Sequence, residues 1–491
     1  MAGAVDRLAR GTASEDIAGT MLSLGRGAVV AVGPWLFIMA SLVIVSVLVP
    51  PTTSRVVIAD FRAILIYAFA LSLVAAAPVV MVTNRILADA IYLGDQARVQ
   101  PLILAGSLAA AITAAVLAAA VGLLILEVRE WSLIALVQAA GLAGMMWVYL
   151  ATAAAKHKYS SITRIFISGL ALATVATLAV AVSWSSSAGM ALGYNFGLAV
   201  IALGLAGSEL RAARSPQVVF LSALKELAGV MRRYCWIAVG GGLSALAVWA
   251  DKWIMWVGPA SQELPSGLVH APLYDSAAFL AYLTVIPSLA RFVLALDGEY
   301  MEAYQSYFRA IKSHATFEEI QRRGAALGRL TSRLIEDLFI QQAAISAIVV
   351  LTAPSIIEAT DLQYAQVPIL RLCTIGVLFQ FMFIAASSLL LFFARHREFC
   401  LLQALFAMLN AGLTLATIAI GPSSYGFGLL GATVVSGVAA YVVLGRVASR
   451  IDYFTFVEGA VELHEREVNS RRRSPANASA AWSIDQRFPP F

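Results

Sequence analysis

The chain predicts an all-α integral membrane protein of about twelve transmembrane helices, with both termini in the cytoplasm. Three observations lead there. Of the 491 residues, 60% are hydrophobic and only 13% charged. Apolar stretches of bilayer-spanning length follow one another with short polar loops between them. The basic residues gather in alternate loops, on one side of those stretches.

The stretches cover 27–49, 61–83, 102–126, 131–154, 165–184, 189–207, 234–257, 277–297, 334–353, 367–393, 399–420 and 426–446. Each has roughly the 17–25 residues that cross a bilayer core with some tilt. Backbone in hydrocarbon must satisfy its own hydrogen bonds, so the spans are helices. The short alternating segments of a barrel are absent from the sequence. The polar arm 1–26 leads into a full-length span, which predicts a retained cytoplasmic arm rather than a cleaved signal. Gly33-Pro34 predicts a kink in span one. Spans one to six, 27–207, make a first six-helix lobe. A basic cytoplasmic linker, 208–233, leads to a second lobe over 234–446. Such 6+6 arrangements are common in transporters. The cytoplasmic tail is 447–491, and its end mixes Ser, Arg, Ala and Pro without periodicity, which predicts disorder.

Charge sets the orientation. With the N-terminus inside, 28 of the 34 Lys and Arg fall in cytoplasmic segments. Only Arg55, Arg62 and Arg129 fall on the other side. Lys252, Arg291 and Arg371 lie within spans or at their ends. The formal charge of +5 reflects those loops and predicts no nucleic-acid partner. Cys235, Cys373 and Cys400 lie in or near span ends and predict small buried hydrophobes, not a disulfide framework.

Catalytic patterns are missing from the sequence. There is no GxxxxGK[ST], no D-x-D pair, and no metal-ligand spacing among His157, His270, His314, His396 and His464. The chain therefore reads as a conduit or scaffold, with no catalytic residue, metal or cofactor expected.

Ionisable and polar groups inside the bilayer are costly, so they are the candidates for a substrate pathway. Asp251 and Lys252 stand in span seven within WADKWIMW. Adjacent helix positions point about 100° apart, so the two need not pair. Trp249, Trp253 and Trp256 share a face. An indole stripe beside polar groups suits a sugar, whose CH face stacks on the ring. A Trp belt with a snorkelling Lys at the outer interface is the plainer reading. Tyr194, Asn195, Gln380, Gln403 and Asn410 complete the intramembrane polar set; cross-linking of helices is the plainer role for them.

The region 298–333 predicts two cytoplasmic helices. Tyr300, Tyr304, Tyr307 and Phe308 recur at helical spacing, and Thr316 with Glu319 forms a capping box. Arg322, Arg323 and Arg329 lie beyond it. This composition suits a docking face for a partner, or an interfacial helix held at anionic headgroups.

Four segments carry a family resemblance: VGPWLFIMASLVI, WADKWIMWVGP, LYDSAAFLAYLTVIPSLARF and the GPSSYGFG loop. Over roughly residues 25–465 the chain resembles the PelG family, the integral membrane component of a Pel exopolysaccharide machinery. The arm GAVDRLARGTASED departs from the family pattern. The resemblance implies a MATE-like, polysaccharide-flippase fold in the bacterial inner membrane. It implies export of a Pel-like polymer rich in N-acetylgalactosamine. The implied partners are a cytoplasmic glycosyltransferase and further membrane subunits, among them a cyclic-di-GMP receptor. Two other functions compete: an ion-coupled antiporter on the same fold, and a non-transporting scaffold for the synthase. Spans one to six contain no Asp or Glu away from their ends, which counts against the antiporter.

Overall fold

A computed structural model describes residues 37–93, 100–156, 159–210 and 220–458. The N-terminal arm, Gly33-Pro34 with the first ten positions of span one, the basic residues 211–214 and the tail from 459 lie outside the described residues. Helix α1 (Phe37–Leu48) is the described part of the first span. Then follow α2 (Arg55–Leu93), α3 (Gln100–Leu124), α4 (Glu130–Ala155), α5 (Tyr159–Ser183) and α6 (Ser187–Leu210). Helix α7 (Phe220–Arg233) leads into α8 (Cys235–Val257). The next crossing is built from α9 (Pro272–Leu283), α10 (Ile286–Ala295), a kink at Gly298 and α11 (Met301–Lys312). Last come α12 (Phe317–Ala359), α13 (Gln366–Phe392), α14 (His396–Ile420) and α15 (Phe427–Ala448).

Among the described residues, ten helices are long and apolar enough to cross a membrane, and eleven if the bent pair α7–α8 counts as one span. The chain is thus a multi-pass, mostly helical membrane protein. Two boundaries differ from expectation. At about 1.5 Å per residue, the 39 residues of α2 and the 43 of α12 reach roughly 58 and 64 Å, twice a bilayer core. The helix expected to start at the Thr316 cap and feed span nine does so, as α12 runs unbroken from Phe317 to Ala359. The linker expected at 208–233 holds the amphipathic α7, which meets α8 at 86°. Ala223 and Leu227 of α7 are buried, while Lys225, Glu226, Arg232 and Arg233 face outward. That division suits a helix lying along the base of the bundle.

Helices α2 to α6 pack on one another, and so do α8, α13, α14 and α15. Helix α8 touches both groups, with α2 on one side and α14 on the other. Successive glycines make room for it. A Cβ at Gly240 would come within 2.7 Å of Phe399, and one at Gly241 within 2.7 Å of Met81. Small residues let helix backbones approach where lipid supplies no hydrophobic drive.

Two polar clusters tie the loop ends. At one end Lys156 pairs with the buried Glu209, and Gln100 Nε2 donates to the Glu209 carbonyl at 2.5 Å. This joins the ends of α3, α4 and α6. At the opposite end a two-stranded hairpin stands between α8 and α9. Its antiparallel strands are β1 (Gln262–Glu263) and β2 (Val269–His270).

Candidate functional site

Helix α8 carries the site because it sits between the two groups of helices. Asp251 is fully buried. The expectation that it and Lys252 need not pair is overturned: the Lys252 ammonium lies 3.1 and 3.0 Å from the two carboxylate oxygens. The flexible four-carbon stem curls back across the 100° that separates the two positions. It also brings the ammonium to the Val248 carbonyl at 3.2 Å, completing the turn.

Distant helices finish the constellation. Tyr274 of α9 donates to Asp251 Oδ2 at 2.7 Å, and Asn410 of α14 donates to Oδ1 at 3.2 Å. Asn410 also donates to the Ala247 carbonyl at 2.9 Å. Tyr282 lies under the ammonium, with its ring centroid at 4.6 Å, and donates its hydroxyl to Gln380 at 2.7 Å. Gln380 Nε2 and Asn410 Oδ1 find no partner among the described residues. A buried amide group left unmatched costs about 1–3 kcal/mol, which favours any ligand that satisfies it.

The indoles divide. Trp249 and Trp253 are half-buried and stack at 6.4 Å with 22° between planes. Trp256 is buried, donates to the Asp275 carboxylate at 2.8 and 3.0 Å, and packs on the Tyr67 ring at 4.4 Å. It binds α8 to α9 and α2 and is committed to structure. Trp249 and Trp253 keep ring area for a partner.

Of the residues singled out from the sequence, the structure brings together Trp249, Asp251, Lys252, Trp253, Trp256, Gln380 and Asn410. Tyr194 and Asn195 lie elsewhere. Tyr194 pairs with Ser41 at 2.6 Å, and Asn195 donates to the Ala135 carbonyl and Gln138. They cross-link α6 with α1 and α4. Gln403 donates to Ser387 at 3.4 Å. Sequence reasoning missed Tyr274, Asp275 and Tyr282. Their signal was the LYDSAAFLAYL run, in which 274 and 282 fall near one helix face; the first two were assigned to a loop.

The aromatic docking face also needs correction. Tyr300, Tyr304, Tyr307 and Phe308 are all buried within the chain. Tyr304 donates to the Phe392 carbonyl at 2.8 Å, and Tyr307 to Asp452 at 2.9 Å. They turn inward because α13 and the segment after α15 offer acceptors and rings there. The Thr316 cap forms as expected and accepts the Glu319 N–H at 3.3 Å. Arg322, at 75% exposed, and Arg323, at 39%, stay at the surface although both pair with Glu319. Cys235 is exposed rather than buried; Cys373 and Cys400 are buried, and all three are free thiols.

Beyond α8, the hairpin crosses from the second group of helices to the first. Asp60 of α2 is buried and accepts from Ser266, and from Ser187 at 2.5 Å. Tyr67 donates to the Val269 carbonyl at 2.6 Å, and the Arg129 N–H to the Ser266 carbonyl at 2.9 Å. Beside it stands His270, outside the spans; partial burial and the nearby Arg62 push its pKa below the usual imidazole value.

This arrangement of helices defines a class. An outward-facing multidrug resistance transporter of the MATE family, MOP superfamily, superposes with a TM-score of 0.62 at 13% identity, covering 91% of this chain and 98% of that one. A mutant of the Vibrio cholerae MATE transporter VcmN gives the same TM-score and identity, covering 92% and 99%. The chain thus has the fold of MATE transporters. A comparison with curated protein sequences finds no match. The family model of the PelG exopolysaccharide exporter (EPS-E) matches residues 1–456, and the chain belongs to that family. The match takes in the N-terminal arm.

Proposed function

We propose that the chain exports a Pel-like exopolysaccharide, rich in N-acetylgalactosamine, across the bacterial inner membrane, and that a cytoplasmic glycosyltransferase supplies the growing polymer. The carrying observation is membership of an exopolysaccharide exporter family over residues 1–456. The transporter fold agrees with it, as does a polar and aromatic cluster on a helix that touches both groups. The reading has twelve spans, 27–207 and 234–446 as two six-helix lobes, cytoplasmic 1–26, 208–233 and 447–491, and no catalytic residue.

In this reading Trp249 and Trp253 stack on sugar CH faces, while Lys252 and the unmatched amide atoms of Gln380 and Asn410 meet hydroxyls and amides, and Asp251 holds the lysine in place from behind. Tyr194 and Asn195 act as helix cross-links. The hairpin closes the periplasmic end of the interlobe space, since it bonds to Asp60 and Tyr67 of α2 and to Arg129 at the start of α4. A soluble synthase meets the protruding start of α12 through Arg322 and Arg323. Further membrane subunits, including a cyclic-di-GMP receptor, complete the machinery in this reading.

Reconstitution with the synthase in lipid vesicles tests this. Polymer that becomes protected inside vesicles only when this chain is present supports export. Polymer made at the same rate but left outside supports the scaffold reading instead. An ion-coupled antiporter would move small cargo without any synthase.

A further inference from the structure

We infer that Asp251 is a monovalent-cation site whose occupant is the chain's own Lys252. The inference concerns this carboxylate alone and does not depend on which molecule the protein carries.

The geometry around the ammonium is that of a coordination shell. Both Asp251 oxygens lie at 3.0 and 3.1 Å, the Val248 carbonyl at 3.2 Å and the Tyr282 hydroxyl at 3.4 Å. The Tyr282 ring face closes one side at 4.6 Å. Carboxylate, backbone carbonyl, hydroxyl and π-face are the groups that hold an alkali or ammonium ion in a dry site. The carboxylate is oriented from behind by Tyr274 and Asn410, so its position does not depend on the lysine. A lone carboxylate at this depth would take either a proton or a counter-ion from solution. Lys252, only 14% exposed, supplies that ion on a tether, and a tethered ion cannot be exchanged for Na⁺, K⁺ or a free ammonium. The carboxylate is therefore closed to cation exchange and carries no cation across the membrane.

Shortening the tether should reopen the site. The thermal midpoint of purified Lys252→Ala protein is measured in N-methylglucamine chloride, then with Na⁺, K⁺, ammonium or methylammonium at constant ionic strength. The expected result is a saturable rise of a few degrees with at least one of these ions, as ligand linkage requires. The wild type, and the double variant Asp251→Asn with Lys252→Ala, should show no ion-specific change. Lys252→Met, which keeps most of the stem volume, is assayed in parallel in case the alanine variant cannot be purified. If both single variants are indifferent to all four ions, or if the wild type responds as strongly as they do, the inference is overturned.

Discussion

Ser266, in the turn of the hairpin, donates its hydroxyl to Asp60, 206 residues earlier in the chain. A carboxylate on the first group of helices thus holds a loop that belongs to the second. Ser187 shares the same carboxylate, so three distant segments meet at one charge. The bonds join ends of α2, α6 and the α8–α9 connection, which places all three on one side of the membrane.

The hairpin turn depends on Gly267. Its φ is +88°, and a Cβ there would stand 3.2 Å from the Leu126 and Glu127 carbonyls. Gly267→Val should destabilise the protein by about 1–3 kcal/mol, the cost of strained backbone at a non-glycine residue. Denaturation of the purified variant checks this. Unchanged stability would mean that the turn relaxes freely and does not clamp the hairpin.

Locking the hairpin should stop transport. With the native cysteines replaced by Ala, Asp60→Cys with Ser266→Cys should oxidise to a bridge and block polymer export, and reduction should restore it. Full export by the bridged protein would show that this end need not open.

Trp253 reports on sugar stacking. Trp253→Ala should lower export about two- to tenfold at normal abundance, corresponding to about 0.5–1.5 kcal/mol per aromatic contact. Trp253→Phe should keep most of it. If neither variant changes export, the half-buried indole belongs to an interfacial belt.

Much of the helical frame was legible in the sequence. Helix α4, 130–155, falls within a residue of the expected 131–154, because only hydrophobic length is needed to place it. The Thr316 cap was legible because capping is local. The Asp251–Lys252 pair was hidden, since helix spacing alone does not show how far a lysine stem reaches. The burial of Tyr304 and Tyr307 was hidden too, because their partners, Phe392 and Asp452, lie about 90 and 145 residues away. The hairpin carried a weak signal in Pro265-Ser266-Gly267, but its anchor at Asp60 carried none.

Those buried tyrosines change the docking experiment. Tyr304→Ser with Tyr307→Ser should lower the stability of the protein itself, because each removes a buried ring and its hydrogen bond. Arg322→Glu, at a side chain 75% exposed, should leave the fold intact and reduce co-purification of the synthase. Synthase recovered at the wild-type ratio with the arginine variant would move the dock elsewhere.

The protection experiment tests the central claim most directly. Vesicles carry the protein with its cytoplasmic face outward, and the synthase and sugar donor are added outside. After synthesis, a polymer-degrading glycosidase is added outside as well. The account predicts that a large share of polymer survives until detergent is added, and that vesicles lacking this chain protect none. Equal digestion with and without the chain, at equal synthesis, would contradict it.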